Sequence, residues 1–227
     1  MRTVVLTGAG ISAESGLPTF RDADGLWEGH DPMQVATPEA FEDAPDLVHR
    51  FYDARRTALG RVQPNAAHQA LARLEEHLGG DLYLVTQNID DLHERGGSRR
   101  VHHMHGRLRA AWCTVCDERH HWEDDLGDRP PCPGCGAEAL RPDVVWFGEV
   151  PYGMDEVQRA LFECDLFVAI GTSGLVYPAA AFVHYAIGAG AGTLELNLEG
   201  TGGDFAQVRE GPATENVPAW VEEILAR

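Results

Sequence analysis

The sequence predicts an α/β fold of the doubly wound, Rossmann-like type, in which helices cover both faces of a parallel sheet. Short apolar runs alternate with segments of helical periodicity, which is the pattern of such sheets. Gly8, Gly10 and Ala13 directly follow the first apolar run and fit the G-x-G-x-x-[GA] spacing of dinucleotide-binding turns. Four cysteines in two C-x-x-C pairs indicate a second, smaller unit.

Each element of this fold is predicted from a local pattern. Strands are predicted at six buried apolar runs: residues 3–8, 82–87, 100–105, 143–148, 165–171 and 193–198. Helices are predicted at 66–79 and 154–164, where apolar residues recur at helical spacing.

Two stretches break the alternation of strands and helices. Residues 25–79 are helical without a strand, and residues 111–140 hold the cysteine pairs. We therefore expect a small domain composed of a helical part, 25–79, and a zinc-ribbon part, 111–140. The dinucleotide-binding, Rossmann-like domain then consists of the remaining segments, 1–24, 80–110 and 141–227.

Composition narrows the class of protein. Hydrophobic residues make up 44% of the 227 residues, as in an ordinary soluble domain. No apolar run approaches the roughly 20 residues that span a bilayer. The chain opens on the strand-like run "TVVLTG" rather than on a cleavable leader, so we expect a cytoplasmic protein without a membrane partner.

The charge balance is strongly acidic. The sequence has 36 aspartate and glutamate residues and 18 basic residues, which gives a formal net charge of -18. All 18 basic residues are arginine. Such a surface repels nucleic acid, so no direct nucleic-acid binding is expected. Attraction to cationic, lysine-rich substrates and adaptation for solubility, including at high salt, both explain the acidity.

The cysteine pairs predict a metal site. "CTVC" and "CPGC" place Cys113, Cys116, Cys132 and Cys135 at zinc-ribbon spacing, with 15 residues between the pairs. Four thiolates leave no open coordination position, so the zinc would be structural. Two disulfides are the alternative, but they suit an oxidising compartment. Cys164 is expected to pack at a helix–strand junction.

Polar and glycine-rich loops follow the predicted strands. The first loop contains Arg21, the second contains Gln87, Asn88 and Asp90, and later ones read "HMHG", "GTSG" and "NLEG". Each alone is also typical of a tight turn or a helix N-cap. Ligands of doubly wound sheets bind at the carboxyl ends of strands, so together these loops predict a binding site.

These motifs, in this order, resemble the sirtuins, the NAD-dependent protein lysine deacylases. The resemblance covers essentially the whole chain: "GAGIS", "TFR", "TQNID", "HG", the two C-x-x-C pairs, "RPDVVWFGE", "GTS", "NLE" and "GPA". The chain is most similar to compact bacterial and archaeal members and to the mitochondrial deacylase that prefers acidic acyl groups.

The resemblance implies that NAD is consumed. In sirtuins the acyl-lysine oxygen attacks the ribose carbon that bears nicotinamide, and a histidine, here His105, then acts as general base on a ribose hydroxyl. The products are nicotinamide, O-acyl-ADP-ribose and free lysine. Phe20 would cover the ribose. The cofactor-binding residues that the resemblance implies are Gly8, Ala9, Gly10, Ile11, Ser12, Ala13, Phe20, Arg21, Trp27, Gln87, Asn88, Ile89, Asp90, Gly171, Thr172, Ser173, Asn197, Leu198, Glu199 and Ala213.

The sequence "VHHMHG" contains three histidines, of which His105 is the candidate base. Only His105 directly precedes Gly106 at the predicted strand end, while His103 shares its face and His102 points the other way. A metal site formed by the three is the alternative. It is disfavoured because we expect no carboxylate partner near them.

Substrate residues are also implied by the resemblance. Val145, Phe147 and Val176 would line the cleft for the peptide or the acyl-lysine. Tyr52 and Arg55, three residues apart on one helix face, match the family pair that accepts succinyl, malonyl or glutaryl groups. On an arbitrary helix the same two residues would be a packed ring and a solvated charge.

Three other functions remain in competition. Some sirtuins transfer ADP-ribose to proteins instead of removing acyl groups. An NAD(H) oxidoreductase would share the glycine turn but has no use for the cysteine unit, and a zinc-ribbon nucleic-acid module would be basic. The expected partners are acylated lysines of proteins, and the expected oligomeric state is a monomer.

Overall fold

A computed structural model describes residues 1–19, 27 and 29–226 of the chain. Nine strands are described: β1 (Thr3–Thr7), β2 (Leu82–Thr86), β3 (Val101–His103), β4 (Gly106–Cys113), β5 (Arg119–His121), β6 (Leu140–Val144), β7 (Leu166–Ile170), β8 (Gly192–Asn197) and β9 (Gln207–Glu210). The described helices are α1 (Gly10–Ala13), α2 (Pro32–Val35), α3 (Pro38–Asp43), α4 (Pro45–Leu59), α5 (Ala66–Leu78), α6 (Leu92–Arg95), α7 (Met154–Glu163), α8 (Phe182–Gly188) and α9 (Ala213–Leu225). None of these helices is long and apolar enough to cross a membrane.

Six strands form one parallel sheet in the order β3-β2-β1-β7-β8-β9. The pairing of β1 is in register on both sides, with Thr3 opposite Leu82 in β2 and Leu166 in β7. The strand order reverses between β1 and β7, which confirms the predicted doubly wound fold and places a ligand crevice at this point.

Successive side chains of the central strands enter two different cores. Val5 of β1 packs with α5 and α9 on one face, and Val4 and Leu6 pack with α7 and α8 on the other. All three side chains are nearly fully buried, and each contributes on the order of 1.5–3 kcal/mol by leaving water. The middle of the first strand, from Val4 to Leu6, is therefore apolar on both faces, as a strand between two helical layers requires.

Local signals set where helices begin. Asn65 caps α5 by accepting from the main-chain N–H of Ala67 at 3.0 Å, and Thr37 caps α3 by accepting from Ala40 at 3.0 Å. Helix α5 confirms the helix predicted at 66–79, and α7 confirms that at 154–164. Cys164 is buried between α7 and β7, as predicted.

The strand prediction was wrong at one run, and it missed the strands β4, β5 and β9. Residues 143–148 do not form a strand of the parallel sheet. Instead β6 ends at Val144 and pairs antiparallel with β4 in a separate three-stranded sheet, β5-β4-β6. An apolar run does not reveal which sheet it joins. Strand β9 was missed because it is a polar, mostly exposed edge strand.

The three-stranded sheet carries the cysteines and crosses the domain boundaries predicted from the sequence. Strand β4 spans the boundary at 110/111 and β6 spans that at 140/141. Among the described residues of 25–79, helices α2 to α5 account for the regular structure, apart from a bridge between Trp27 and His30 and the first residue of a short 3₁₀ turn, Gly79–Asp81. The exact division into two domains therefore stays a prediction.

Candidate active site

A cleft of about 800 Å³ lies at the carboxyl ends of β1 and β7, where the strand order reverses. The loops after β1, β2, β3, β7 and β8 form one half of it, and α4 with the segment after β6 forms the other. The cleft brings together predicted residues that lie up to 205 positions apart, from Gly8 to Ala213.

The loop after β1 packs against the loop after β7 without side chains between them. A Cβ atom at Gly8 would lie 2.7 Å from the carbonyl oxygen of Gly171, and one at Gly10 would lie 2.7 Å from the Gly171 Cα. Gly10 donates its N–H to the Gly171 carbonyl at 2.9 Å, and Gly171 itself has a φ of 61°. The glycines are required here because the two backbones touch.

Most of the predicted cofactor residues line this half of the cleft. Ile11 does not: its side chain is fully buried in the core. Phe20 and Arg21 lie outside the described residues. The predicted cofactor residues that line the cleft are Gly8, Ala9, Gly10, Ser12, Ala13, Trp27, Gln87, Asn88, Ile89, Asp90, Gly171, Thr172, Ser173, Asn197, Leu198, Glu199 and Ala213, and Trp27 lies at the end that also holds Arg55.

Asn88 and Asp90 form a buried polar centre with Ser12. The Ser12 hydroxyl donates to Asp90 Oδ2 at 3.0 Å, and the Asn88 side-chain amide donates to Ser12 Oγ at 3.2 Å and to the Gly8 carbonyl at 3.1 Å. Burial raises the pKa of Asp90 above its ordinary 3.8, although hydrogen bonds from the Leu92 N–H and Ser12 oppose the shift. A polar ligand that donates to this carboxylate would offset its lost hydration.

A second polar layer behind this centre was missed by sequence reasoning. His68 Nε2 lies 3.4 Å from Ser12 Oγ, and its ring lies 5.0 Å from that of His93. Burial lowers the pKa of His68 to about 4 and that of His93 well below its ordinary value, so both rings are neutral at pH 7. These residues are separated by up to 81 positions, and no local sequence pattern connects them.

His105 lies two residues beyond the end of β3, on the cleft wall. Its Nδ1 lies 3.0 Å from the carbonyl oxygen of Gln87. Because a carbonyl only accepts, Nδ1 carries the proton and the neutral ring presents Nε2 as a proton acceptor. Burial lowers the pKa of His105 below 6.5, and the hydrogen bond to Gln87 partly opposes this shift. The lowered pKa favours the neutral form of the ring.

The other two histidines hold the surrounding backbone. His103 is buried between the Asn88 carbonyl, 3.1 Å from Nδ1, and the Glu94 carboxylate, 2.8 Å from Nε2. His102 contacts the Tyr152 carbonyl at 2.9 Å, away from the cleft. The expectation that no carboxylate lies near these histidines was wrong, because α6 carries Glu94 back to β3. The strand also ends at His103, two residues earlier than predicted.

Tyr52 and Arg55 line the other end of the same cleft. The indole N–H of Trp146 donates to the Tyr52 hydroxyl at 2.9 Å, and burial raises the pKa of Tyr52 above its ordinary value of 10.0. The Arg55 guanidinium carbon lies 4.2 Å from the ring centroid of Trp27 and 5.6 Å from that of Phe51. A neutral phenol and a stacked guanidinium thus border one space.

The segment after β6 lines the cleft and ends at Glu149, which forms an ion pair with Arg141 in β6. Sequence reasoning missed this pair. Arg141 donates to the Glu149 carboxylate at 2.7 and 3.0 Å, and its guanidinium lies 3.4 Å from the ring centroid of Trp146. Glu149 also accepts from the Trp146 N–H at 2.8 Å. The opposite charges at the two ends of "RPDVVWFGE" were the available signal.

Val145, Phe147 and Val176 line the cleft as well. The N–H of Val145 donates to the carbonyl of His105 at 2.9 Å, which fixes this segment beside the histidine. Phe147 is 38% exposed, and nearby Leu175 and Tyr177 are 66% and 76% exposed. The rim therefore offers apolar side chains to a ligand that covers the cleft.

The four predicted zinc ligands converge outside the cleft. The sulfur atoms of Cys113, Cys116, Cys132 and Cys135 all lie within 4.8 Å of one another. Two of the separations, Cys113 to Cys135 and Cys116 to Cys132, are 3.7 Å. Tetrahedral zinc with Zn–S bonds of about 2.3 Å would place its sulfurs about 3.8 Å apart. The cluster therefore fits a structural zinc ion and contains no disulfide.

The fold and the cleft define a doubly wound α/β protein with a ligand site at its topological switch point and a four-cysteine unit attached. The chain belongs to the Sir2 family, whose sequence model matches residues 8–178.

Relatives and solved structures agree with this membership. The chain is similar to an NAD-dependent protein deacylase of Escherichia coli K12, at 55% identity over 99% of this chain and 82% of that protein. It is 53% identical to an NAD-dependent protein deacylase of Caulobacter vibrioides, over 100% of this chain and 98% of the relative.

Two solved Sir2 structures that contain ligands are similar to this chain. One, a Sir2 homologue in complex with NAD, superposes with a TM-score of 0.87 at 40% identity, over 99% of this chain and 89% of that chain. The other, a Sir2 mutant with a deacetylated peptide and 3′-O-acetyl ADP-ribose, gives a TM-score of 0.85 at 32% identity, over 97% and 92% of the two chains.

Proposed function

We propose that this protein removes acyl groups from protein lysines and consumes NAD in the reaction, with succinyl and malonyl accepted as well as acetyl. The products are free lysine, nicotinamide and O-acyl-ADP-ribose. The observation that carries the proposal is one cleft with a glycine-built, polar half at one end and a tyrosine–arginine pair at the other, with His105 on its wall. Membership in the Sir2 family supports it.

In the cofactor half, Asn88 and Asp90 hold the nicotinamide carboxamide. The Asn88 amide nitrogen donates to Gly8 and Ser12, so its Oδ1 is the atom that accepts from the carboxamide N–H. The buried Asp90 carboxylate, which is shielded from water, accepts a second hydrogen bond from the carboxamide. These contacts fix the leaving group in orientation.

His105 acts as the general base. NAD, when bound, supplies the ribose carbon that takes up the acyl oxygen and the hydroxyl that is deprotonated. The chain's part is to receive that proton at Nε2, since Nδ1 is engaged by Gln87. A positioned general base contributes about two to four orders of magnitude in rate.

The other half of the cleft, the acyl half, recognises the lysine side chain and its acyl group. We propose that the peptide lies extended between the segments of Val145 and Val176 and pairs by main-chain hydrogen bonds. The acyl group then reaches Tyr52, whose hydroxyl accepts from Trp146 and can donate its own proton. Arg55 supplies the positive charge for a distal carboxylate.

Zinc, held by the four cysteines, would keep the three-stranded sheet folded and would take no part in the reaction, because four thiolates fill its coordination. We also propose that the protein acts as a monomer in the cytoplasm.

The decisive experiment incubates the protein with NAD and matched acetyl-, succinyl- and malonyl-lysine peptides, with mass spectrometry of every product. We expect equimolar nicotinamide, O-acyl-ADP-ribose and free lysine peptide, with acidic acyl groups at least as good as acetyl. ADP-ribose on the protein or peptide would identify a transferase instead. NADH formation would identify an oxidoreductase.

A further inference from the structure

Helix α4 presents two different pairs of side chains on two faces. Tyr52 and Arg55 line the cleft, whereas Asp53 and Arg56, the next residue in each case, turn away from it. Neighbouring helix positions differ by about 100° in direction, so the second pair meets another part of the molecule. That part is the segment 124–127, which lies between the two cysteine pairs in the sequence.

Asp53 binds this segment through its main chain. Its Oδ1 accepts the N–H of Leu126 at 3.0 Å, and its Oδ2 accepts the N–H of Gly127 at 2.9 Å. Asp53 as a whole is only 8% exposed. Hydrogen bonds to a buried charge are the stronger kind, so the position of this segment relative to α4 is well defined.

Arg56 completes the connection. Its Nη1 lies 2.6 Å from Asp53 Oδ1 and donates to the Asp124 carbonyl at 3.1 Å, while its Nε donates to the Leu108 carbonyl in β4 at 3.0 Å. The residue is 4% exposed. A buried ion pair that loses one partner leaves the other charge uncompensated, so the two residues act as a unit.

The two ends of this connection belong to different cores. Leu126 is fully buried in the cluster that contains Cys113 and Cys132. Leu108 is buried in the cluster that contains Tyr52 and Trp146, at the acyl end of the cleft. The ion pair of Asp53 and Arg56 therefore links the packing of the cysteine unit to the helix that carries Tyr52 and Arg55.

We propose that Asp53 and Arg56 are positioning residues that couple the zinc-bearing unit to the acyl-recognition face of α4. This rests on the proposed function, because it assigns acyl recognition to Tyr52 and Arg55. The coupling makes a testable distinction: weakening it should impair binding of the acyl peptide, whereas NAD binding, which depends on the parallel sheet, should be unaffected.

The first test compares Asp53→Ala and Arg56→Met with the control Asp46→Ala. Asp46 lies on the same helix and pairs with Arg129 at 2.7 Å, but this pair is solvent-exposed. We expect the KM for succinyl-lysine peptide to rise about fivefold or more in the two buried-pair variants. Their KM for NAD and their kcat should stay within about twofold, and the control should match the parent protein.

The second test measures hydrogen exchange in the peptide 51–57, with zinc bound and after chelation. In the parent, chelation should increase exchange there. In zinc-loaded Asp53→Ala, exchange should already be raised, and chelation should add little. Since coupling is reciprocal, this variant should also lose zinc at a lower chelator concentration than the control.

The outcomes separate this inference from the proposed function. If the parent shows no NAD-dependent deacylation, the proposed function is wrong. Hydrogen exchange tests the coupling without any activity: if chelation leaves exchange in residues 51–57 of the parent unchanged, the coupling is wrong. If the parent is active and Arg55→Met is impaired but the buried-pair variants keep the parental KM, the coupling is wrong. Should Asp53→Ala not fold, Asp53→Asn, which keeps one acceptor oxygen, must give an intermediate KM and intermediate exchange; parental values would overturn the proposal.

Discussion

The two halves of the cleft, which the proposed function makes a cofactor half and an acyl half, are built from different materials. The cofactor half consists of loops at the ends of parallel strands, where glycine backbones touch and the polar side chains bind one another. The acyl half consists of side chains from α4 and from the segment after β6, arranged by aromatic contacts such as Trp27 with Phe51, at 5.0 Å between ring centroids. One half is set by main chain, and the other by packing.

This difference teaches which changes each half tolerates. A backbone contact leaves no room for a different side chain, so changes in the cofactor half should affect every substrate alike. Side-chain packing can be altered one residue at a time, so changes in the acyl half should affect some acyl groups more than others. Four predictions test this distinction, from the largest expected effect to the smallest.

The largest effect is expected from Cys113→Ser, which removes a ligand of the proposed zinc ion. Zinc contributes about 10–16 kcal/mol to the folding of small zinc domains. We expect loss of the metal, a lower unfolding temperature and loss of deacylation, measured by metal analysis and thermal denaturation. Cys164→Ser is the control, because Cys164 is buried away from the cluster. A zinc-free variant with parental stability would show that the metal does not stabilise the fold.

His105→Ala should lower turnover of every acyl substrate by about two to four orders of magnitude, as expected for loss of a general base. Fold and zinc content should remain. The measurement is kcat for acetyl- and succinyl-peptides, with His102→Ala as the matched control, because His102 contacts the Tyr152 carbonyl outside the cleft. Near-normal turnover in the His105 variant would reject its role as base.

Arg55→Met should reduce desuccinylation by about one order of magnitude or more, since hydrogen bonds to charged groups contribute roughly 1.5–3 kcal/mol. Deacetylation should change much less, because acetyl offers no carboxylate. Arg50→Met is the control, as Arg50 is exposed on the same helix. Equal losses on both acyl groups would show that Arg55 supports the fold or the cofactor half instead.

The smallest effect concerns pH. Burial lowers the pKa of His105 below 6.5, and the base works only when neutral. Turnover should therefore be maintained as the pH falls to 6.5 and should be lost only as it falls through the lowered pKa. The profile of kcat at saturating NAD measures this, because at saturation a change in NAD affinity caused by titration of Asp90, the proposed carboxamide acceptor, does not alter the rate. An acid limb centred above 6.5 would contradict the assignment.

The sequence determined those features that follow from local pattern. Apolar runs and helical periodicity predicted the doubly wound sheet, because a strand buried on both faces must be apolar throughout. The C-x-x-C spacing predicted the cluster of four sulfurs, because each pair turns two thiolates toward one point. The resemblance of "GAGIS", "TQNID" and "HG" to the sirtuins led to Gly8, Asn88 and His105, which the structure brings to one cleft.

Tertiary structure alone decided which sheet a strand joins and which groups pair with a buried charge, because both depend on residues far apart in the sequence. Strand β6 joined the antiparallel sheet because it pairs with β4, from Leu140 opposite Cys113 to Val144 opposite Gly106, which no apolar run reveals. Likewise, Asp53 and Arg56 look like ordinary helix charges in the sequence until the segment 124–127 supplies their partners. Local sequence fixes backbone preference and periodicity, whereas the partner of a buried charge is set by the packing of the whole chain.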